Sequence, residues 1–519
     1  MYKPLLTLLA FQLITHTLGA NVLLLSGIAS PSHHMYNRVL AVGLAANHNV
    51  TFLSGDLSKT KTANLHYIHL ERVYAALFEG DNSFDMLEMS RQGPVEQLSG
   101  FSSYFTQTCE GSLSSKGLDV ILNYPNDFKF DVVIHDFTMG FCLLPLIHKF
   151  NYPPLISLTA FSNPPFSIFS VGGHKYPAYI PHYLMNYPVI MSFTERVHNL
   201  FIYGVDMFIH KYRTFPEMDR KIQQRYKFKD LPSGAELEQK TALMFINTDF
   251  SVDFPEPLQP NMIQIAGLQI AEPKPLKEEI EKFILSAKKG TILMSLGTNM
   301  KSAMLGNELL TKIIKTFAQL PDYNFLWKFE ADPKDLPVKL SKNVMIQSFM
   351  PQNDLLSHPK VVAFVSHSGL LSSHEALYHG TPIIGMPFYA DQFSSIAKMI
   401  LKGVGEKIDF KTLTTENFMQ VILTVVENQK YTANAKKISK LFKDKPMKPL
   451  ETALWWVDYV IRNPNLDHMK SPTLATGFIV AYSLDILLAA ISLVYVAAYI
   501  SCKFFKKLFG SKNLKRKSD

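Results

Sequence analysis

Short apolar runs closed by polar residues recur along the chain, and between several of them the apolar spacing widens to that of a helix. Asn21–Ser26 reads NVLLLS and leads through a Gly27–His34 loop into a stretch with Val39, Leu40, Val42 and Leu44 at helical spacing. Val50–Leu53, Phe130–Ile134 (FDVVI, closed by His135-Asp136) and Pro154–Leu158 (PLISL) are further runs. Such runs, alternating with helical patterns, predict a parallel sheet covered on both faces. Residues 55–125 and 160–245 lack a clear period and are rich in aromatics, as at Phe161–Phe169. They read equally well as insertions shaping a pocket or as ordinary core. Pro255–Pro275 carries the marks of a linker. The alternation then restarts with Thr291–Ser295, Asn324–Phe329, Val344–Gln347, Val361–Ser366 and Thr381–Gly385. Two doubly wound α/β domains result, with a cleft between them and ligands expected outside the carboxyl ends of the strands.

The ends of the chain are patterned differently. Lys3, the apolar run Leu5–Ile14 and the small residues Gly19 and Ala20 read as a secretory signal over residues 1–20. Residues 474–502 are apolar apart from Asp485, and from Ile486 onward carry no charge up to Lys503, which predicts a transmembrane segment. The tail 503–519 holds seven Lys/Arg against Asp519 alone, a positive-inside flank. It therefore accounts for six of the eight net positive charges. The body is nearly neutral, which argues against nucleic acid as a partner. These features predict a single-pass type I protein, its body lumenal and its basic tail cytosolic. Lys515 and Lys517, fifth and third from the end, resemble a dilysine signal for return to the endoplasmic reticulum. Cys109 and Cys142 can pair in an oxidising lumen, and Asn49-Val50-Thr51 is a glycosylation sequon at a strand start.

Polar residues at the strand ends carry the candidate chemistry. The strand Val361–Ser366 ends in His367-Ser368-Gly369 and runs into a helical segment, a junction whose free N–H groups suit a diphosphate. Glu375 lies about two turns along, where a carboxylate can accept from ribose hydroxyls. Asp391-Gln392 pairs an acceptor with a donor for sugar hydroxyls, and Phe349 with Gln352 offers an aromatic face and an amide for a base. In the first half, His33 or His34 can serve as a general base and Asp136 can orient it. No Asp-x-Asp triplet or Cys/His cluster suggests a metal, and no Gly-x-Ser-x-Gly elbow or P-loop is present.

Residues 349–392, FMPQNDLLSHPKVVAFVSHSGLLSSHEALYHGTPIIGMPFYADQ, resemble the donor signature of the UDP-glycosyltransferases, and Ser295–Thr298 (SLGT) and Pro449–Arg462 resemble further family segments. The resemblance implies an α/β fold of GT-B type: two Rossmann-like domains facing a cleft, with one C-terminal transmembrane helix. The acceptor domain would span 21–270. The UDP-sugar domain would span 271–470, its final helix packing back on the first. Phe349 would stack the uracil and Gln352 bond it. Thr298, His367, Ser368 and Gly369 would hold the diphosphate, Glu375 the ribose, and Asp391 and Gln392 the transferred sugar. The family's Ser-His-Trp pattern falls on Ser32-His33-His34, which places the base at His33, oriented by Asp136. Three departures stand out: Phe349 where Trp is usual, Ser368 where Gly is usual, and Leu370-Leu371 where vertebrate relatives have Ser-Asn. The last is like the invertebrate branch, which favours glucose. The reaction implied is inverting, metal-free transfer of a hexose from a UDP-sugar to the hydroxyl of a small lipophilic acceptor, as in detoxification. A glucuronate donor and a non-catalytic binding protein on the same fold are the alternatives, and homo-oligomerisation stays open.

Overall fold

The computed structural model describes residues 19–80 and 83–510. Most of the expected signal segment and the Lys515/Lys517 tail lie outside them. The described chain divides into two compact units, one running to Lys470 and the other from Ser471.

The first unit holds two sheets in which the strand pairs are parallel. The seven-stranded sheet is built from β1 (Asn21–Ser26), β2 (Asn49–Ser54), β3 (Leu65–His69), β4 (Val132–Asp136), β5 (Leu155–Leu158), β6 (Thr241–Ile246) and β7 (Met262–Gln264), in the order β3-β2-β1-β4-β5-β6-β7. The six-stranded sheet contains β8 (Gly290–Ser295), β9 (Tyr323–Lys328), β10 (Val344–Gln347), β11 (Val361–Ser366), β12 (Ile383–Gly385) and β13 (Gly405–Lys407), in the order β10-β9-β8-β11-β12-β13. Each sheet reverses direction of growth beside its first strand, which opens a crevice at the strand ends.

Helices cover both faces of the first sheet. On one face α1 (Pro31–Leu44) lays Tyr36, Leu40 and Leu44 against Val22, Leu24, Val132 and Ile134. On the other, α2 (Pro94–Ser114) packs Phe105 and Leu113 with Leu23, Leu25 and Val133. A disulfide joins Cys109 of α2 to Cys142 beyond β4, with Cα atoms 5.6 Å apart. A third helix, α3 (Phe193–Ile209), mixes polar with apolar residues on its buried face, where Ile202 and Tyr203 sit. Asn199 and Asp206 are buried, while Phe193, Leu200, Phe201 and Phe208 are exposed. Two of the helices packed on the second sheet are α4 (Leu370–His379) and α5 (Gln392–Leu401). The last helix of the unit, α6 (Pro449–Arg462), returns to α1, where a Cβ on Gly43 would stand 2.9 Å from Leu450 Cδ1. His48 Nε2 also meets Asp458 Oδ1 there at 3.0 Å.

Several expectations are corrected. The Gly27–His34 loop is shorter than read, because Pro31, with its φ preset for a helix, opens α1. The presumed linker Pro255–Pro275 contains β7, and the unperiodic 55–125 and 160–245 regions contain β3 and most of β6. In the second unit the long helix α7 runs Leu484–Gly510, later at both ends than the expected 474–502. Thr473–Ala481 is a separate helical segment broken at Gly477, where φ is 72°. Within α7, Leu484–Phe509 has a mean hydropathy of 2.0 with none of its apolar window buried, a candidate membrane span.

Ser368 is also corrected. It occupies the left-handed region, with φ of 65°, and is fully buried. Its Oγ lies against Gly385, where a Cβ would come within 2.4 Å, and has no hydrogen-bond partner. The side chain therefore points into the sheet and is absent from the cavity lining, so Ser368 offers no hydroxyl to a phosphate. Left-handed backbone costs a non-glycine residue roughly 1–2 kcal/mol, and an unpaired buried hydroxyl adds to it. Ser368→Gly is expected to stabilise the protein by about 1 kcal/mol, allowing for lost packing. Thermal unfolding checks this, and a lowered Tm would refute the strain argument.

Candidate active site

The carboxyl ends of both sheets open on one cavity of about 660 Å³. On the first sheet, β1 delivers the chain into α1, whose first turn carries His33 and His34, and β4 delivers Asp136. His33 and Asp136 are 4% and 3% exposed. His33 Nδ1 faces Asp136 Oδ2 at 3.4 Å. Asn37, one turn further along α1, donates to the same Oδ2 at 2.7 Å and to Ser26 Oγ at 3.0 Å. The Thr138 amide donates to Asp136 Oδ1 at 3.2 Å. Burial pushes the Asp136 carboxyl up, but these bonds and the His33 ring outweigh it and hold it below the usual range. With Nδ1 turned to a carboxylate, Nε2 is the ring nitrogen suited to take a proton.

The neighbouring histidine is engaged elsewhere. His34 Nδ1 meets Ser54 Oγ at 2.9 Å and its ring stacks on Phe52. Burial lowers its pKa, Asp56 opposing and Arg38 assisting. Sequence reasoning passed over Asn37, although its spacing of four from His33 on a helix was a usable signal.

The rest of the first half supplies apolar walls. Phe101, Tyr104 and Phe105 come from α2, while Phe161 and Phe166 come from the segment after β5, and all line the cavity. The aromatic-rich regions thus shape a pocket. Phe161 meets the His33 ring edge-on at 5.1 Å. Tyr104 spends its hydroxyl on the Ala29 carbonyl at 3.0 Å, so it presents mainly a ring to the cavity.

On the second sheet, β8 leads into the Leu296–Asn299 turn and β11 into the start of α4. His367 is held between two glycines: a Cβ on Gly297 would lie 2.5 Å from its Cε1, and one on Gly369 2.4 Å from its Nε2. Gly297 also has φ of +87°, so glycine is required there on both counts. Burial, helped by the Lys328 charge, lowers the His367 pKa to about 4, so the ring is neutral near pH 7. Thr298, His367 and Gly369 line the cavity beside the N-terminus of α4.

Gln352 and Glu375 are brought together, Nε2 donating to Oε2 at 2.7 Å. Burial raises the Glu375 carboxyl to about 7, Gln352 opposing and Asp354 assisting. Phe349 sits at the rim, 71% exposed. Asp391 stands at the start of α5. Burial raises it to about 6 against the pull of Lys398, the Leu370 amide and His33, a residue of the opposite sheet. Gln392 uses its carbonyl to accept from the Phe388 and Tyr389 amides, at 2.8 and 3.3 Å, which leaves its NH₂ group to donate. The halves are joined near the catalytic candidates by Asn299, whose Nδ2 donates to Ser30 Oγ at 3.0 Å. Of the residues singled out in the sequence, His33, Thr298, Phe349, Gln352, His367, Gly369, Glu375, Asp391 and Gln392 line this cavity, while Asp136 stands behind His33, and His34 and Ser368 are absent from the lining. Among the described residues no three of His, Cys, Asp and Glu gather to hold a metal ion.

Comparison with known proteins gives one answer. Residues 44–518 match the family model described as "UDP-glucoronosyl and UDP-glucosyl transferase". UDP-glucosyltransferase 2 of Dactylopius coccus is 32% identical over 471 residues, covering 91% of this chain and 89% of the relative. UDP-glucuronosyltransferase 2B15 of Rattus norvegicus is 32% identical over 432 residues, covering 82% and 78%. Among solved structures, a UDP-glucosyltransferase from Polygonum tinctorium superposes with a TM-score of 0.56 at 15% identity, covering 86% of this chain and 99% of that one. At that identity the likeness speaks for the two-sheet GT-B fold alone. Matched over most of its length by both model and relatives, the chain belongs to the UDP-glucuronosyl and UDP-glucosyl transferase family and is a UDP-glycosyltransferase.

Proposed function

We propose that the enzyme moves glucose from UDP-glucose to the hydroxyl of a small lipophilic acceptor, with inversion and with His33 as general base. The observation that carries this reading is His33, backed by the buried Asp136 and sharing one cavity with Asp391 and the His367 turn. The acceptor hydroxyl passes its proton to His33 Nε2 while its oxygen attacks the anomeric carbon. The bond from that carbon to the β-phosphate oxygen breaks, and UDP leaves with the electron pair. Asp136 stabilises the imidazolium that forms, and an α-linked donor gives the β-glycoside. The N-terminus of α4 and the Gly297–Thr298 turn face the diphosphate. Phe349 and Gln352 take the uracil, Glu375 the ribose, and Asp391 with the Gln392 NH₂ the sugar hydroxyls. Leu370 and Leu371 line the cavity and bring no polar group to grip a carboxylate, which favours glucose over glucuronate. The aromatic walls from α2 and the segment after β5 favour an apolar aglycone.

The chain's ends extend the proposal. A signal over residues 1–20, a membrane span along α7 and a cytosolic tail rich in Lys would keep the catalytic unit on the lumenal side of the endoplasmic reticulum. A disulfide between Cys109 and Cys142 suits that compartment.

Three outcomes test the reading. His33→Ala is expected to lower kcat on the order of 10²–10⁴-fold with a phenol panel, the range of a lost general base, while leaving UDP binding intact. Equal rates for the two proteins would refute the mechanism, and mass spectrometry of the product names the sugar added. UDP affinity is expected to weaken as pH falls through about 7, because the Glu375 carboxylate that accepts from ribose is then lost. Glu375→Gln should flatten that profile, and an unchanged slope would remove Glu375 from the ribose site. EDTA is expected to leave turnover unchanged, whereas a loss restored only by Mn²⁺ would overturn metal-free transfer.

A further inference from the structure

At the cleft end of β9 stands a charged pair that the roles above leave unused. Lys328 Nζ donates to the Gly297 carbonyl at 2.6 Å and to Glu330 Oε1 at 3.0 Å. The two side chains are only 15% and 13% exposed. Glu330 Oε2 is buried with no hydrogen-bond partner, so the carboxylate is held by this lysine on one oxygen only. Lys328 lines the same cavity as Gly297, Thr298, His367 and Gly369. Its backbone is pinned, the carbonyl accepting from Ser302 Oγ at 2.9 Å, so the freedom that remains is in the flexible side chain.

The electrostatics of this wall are otherwise thin for a nucleoside diphosphate. A helix N-terminus supplies roughly half a charge. His367, with its pKa near 4, supplies a dipole and no net charge at neutral pH. Among the residues lining the cavity, only Arg38 and Lys328 carry a permanent cation, and Arg38 sits on α1 of the opposite sheet. Resting on the reading that the donor is a UDP-sugar, we infer that Lys328 is the cation that binds the donor's diphosphate and offsets its charge as the sugar leaves. Glu330 and the Gly297 carbonyl hold the ammonium in the wall until phosphate oxygens replace them. Lysine suits this exchange because its ammonium is a compact charge with three donors on a long stem.

The test is calorimetric titration of the full-length enzyme with UDP and, separately, with uridine. Lys328→Met is expected to weaken UDP binding on the order of tenfold, the scale of a lost charge-assisted bond, and to leave uridine binding unchanged. Glu330→Gln is expected to tighten UDP severalfold, since the ammonium then has no competing anion, again without moving uridine. Wild-type enzyme that fails to bind UDP would overturn the donor reading itself. Wild-type binding with unaltered UDP affinity in Lys328→Met would overturn the inference alone. An equal loss of UDP and uridine in Lys328→Met would mean that the lysine only braces the turn, or that the variant is misfolded. The Glu330→Gln arm then decides: weaker or unchanged UDP binding there sinks the proposal, and tighter binding sustains it.

Discussion

Asp136 is an ionised carboxylate closed off from solvent at the end of a central strand, and such a group costs several kcal/mol unless its oxygens are paired. The first half of the molecule is arranged around that demand. Asn37 reaches it from the second turn of α1, the Thr138 amide from the turn after β4, and His33 from the first turn of α1. Because Asn37 also holds Ser26 at the end of β1, one carboxylate fixes two adjacent strands and the helix that crosses them. The position of His33 relative to the cavity follows from this. Its ring is set by a network of protein groups, so removing any one of them would move the His33 ring as well as the carboxylate.

The central strands were legible because parallel strands are buried on both faces and read as unbroken apolar runs. Of the edge strands, β10 was read, while β3, β7 and β13 were not, and the interior β6 was missed too. β3 is short and broken by His66 and His69, β13 is three residues of which two are polar, and β7 hides between prolines. The greatest loss of signal is α3, where the buried stripe contains Asn199 and Asp206 and the exposed stripe is phenylalanine and leucine. Asn199 is buried because it accepts from the His182 amide and donates to the Pro177 and Ile180 carbonyls, and Asp206 because it pairs with His182 and His210. A hydrophobicity pattern carries no trace of such partners. The same reason explains Ser368, since a left-handed φ at a serine cannot be read from composition or period. Site residues were legible where a strand end coincided with a polar residue and a family motif. Asn37 and Lys328 were missed because each acts through geometry that the motif does not include.

The two halves of the unit treat their buried carboxylates in opposite ways. Asp136 has its full complement of donors and stays ionised well below neutral pH. Glu375 and Asp391, with fewer donors, are raised to about 7 and about 6. The difference is one of partners rather than depth, because burial pushes all three in the same direction. A carboxylate that orients a base has to be satisfied by protein at all times, since its partner must not drift. One that receives sugar hydroxyls has to be left short of donors, because the ligand is to provide them. The under-satisfied carboxylates thus mark where polar hydrogens of a substrate belong, and the fully satisfied one marks where none should come. On that criterion the half that carries Glu375 and Asp391 suits a polyhydroxylated ligand, as the proposed donor role requires. If the first half takes the acceptor, as proposed, then with Tyr104 already spent on the protein and the other walls named above aromatic it would ask its ligand for little beyond one hydroxyl within reach of His33.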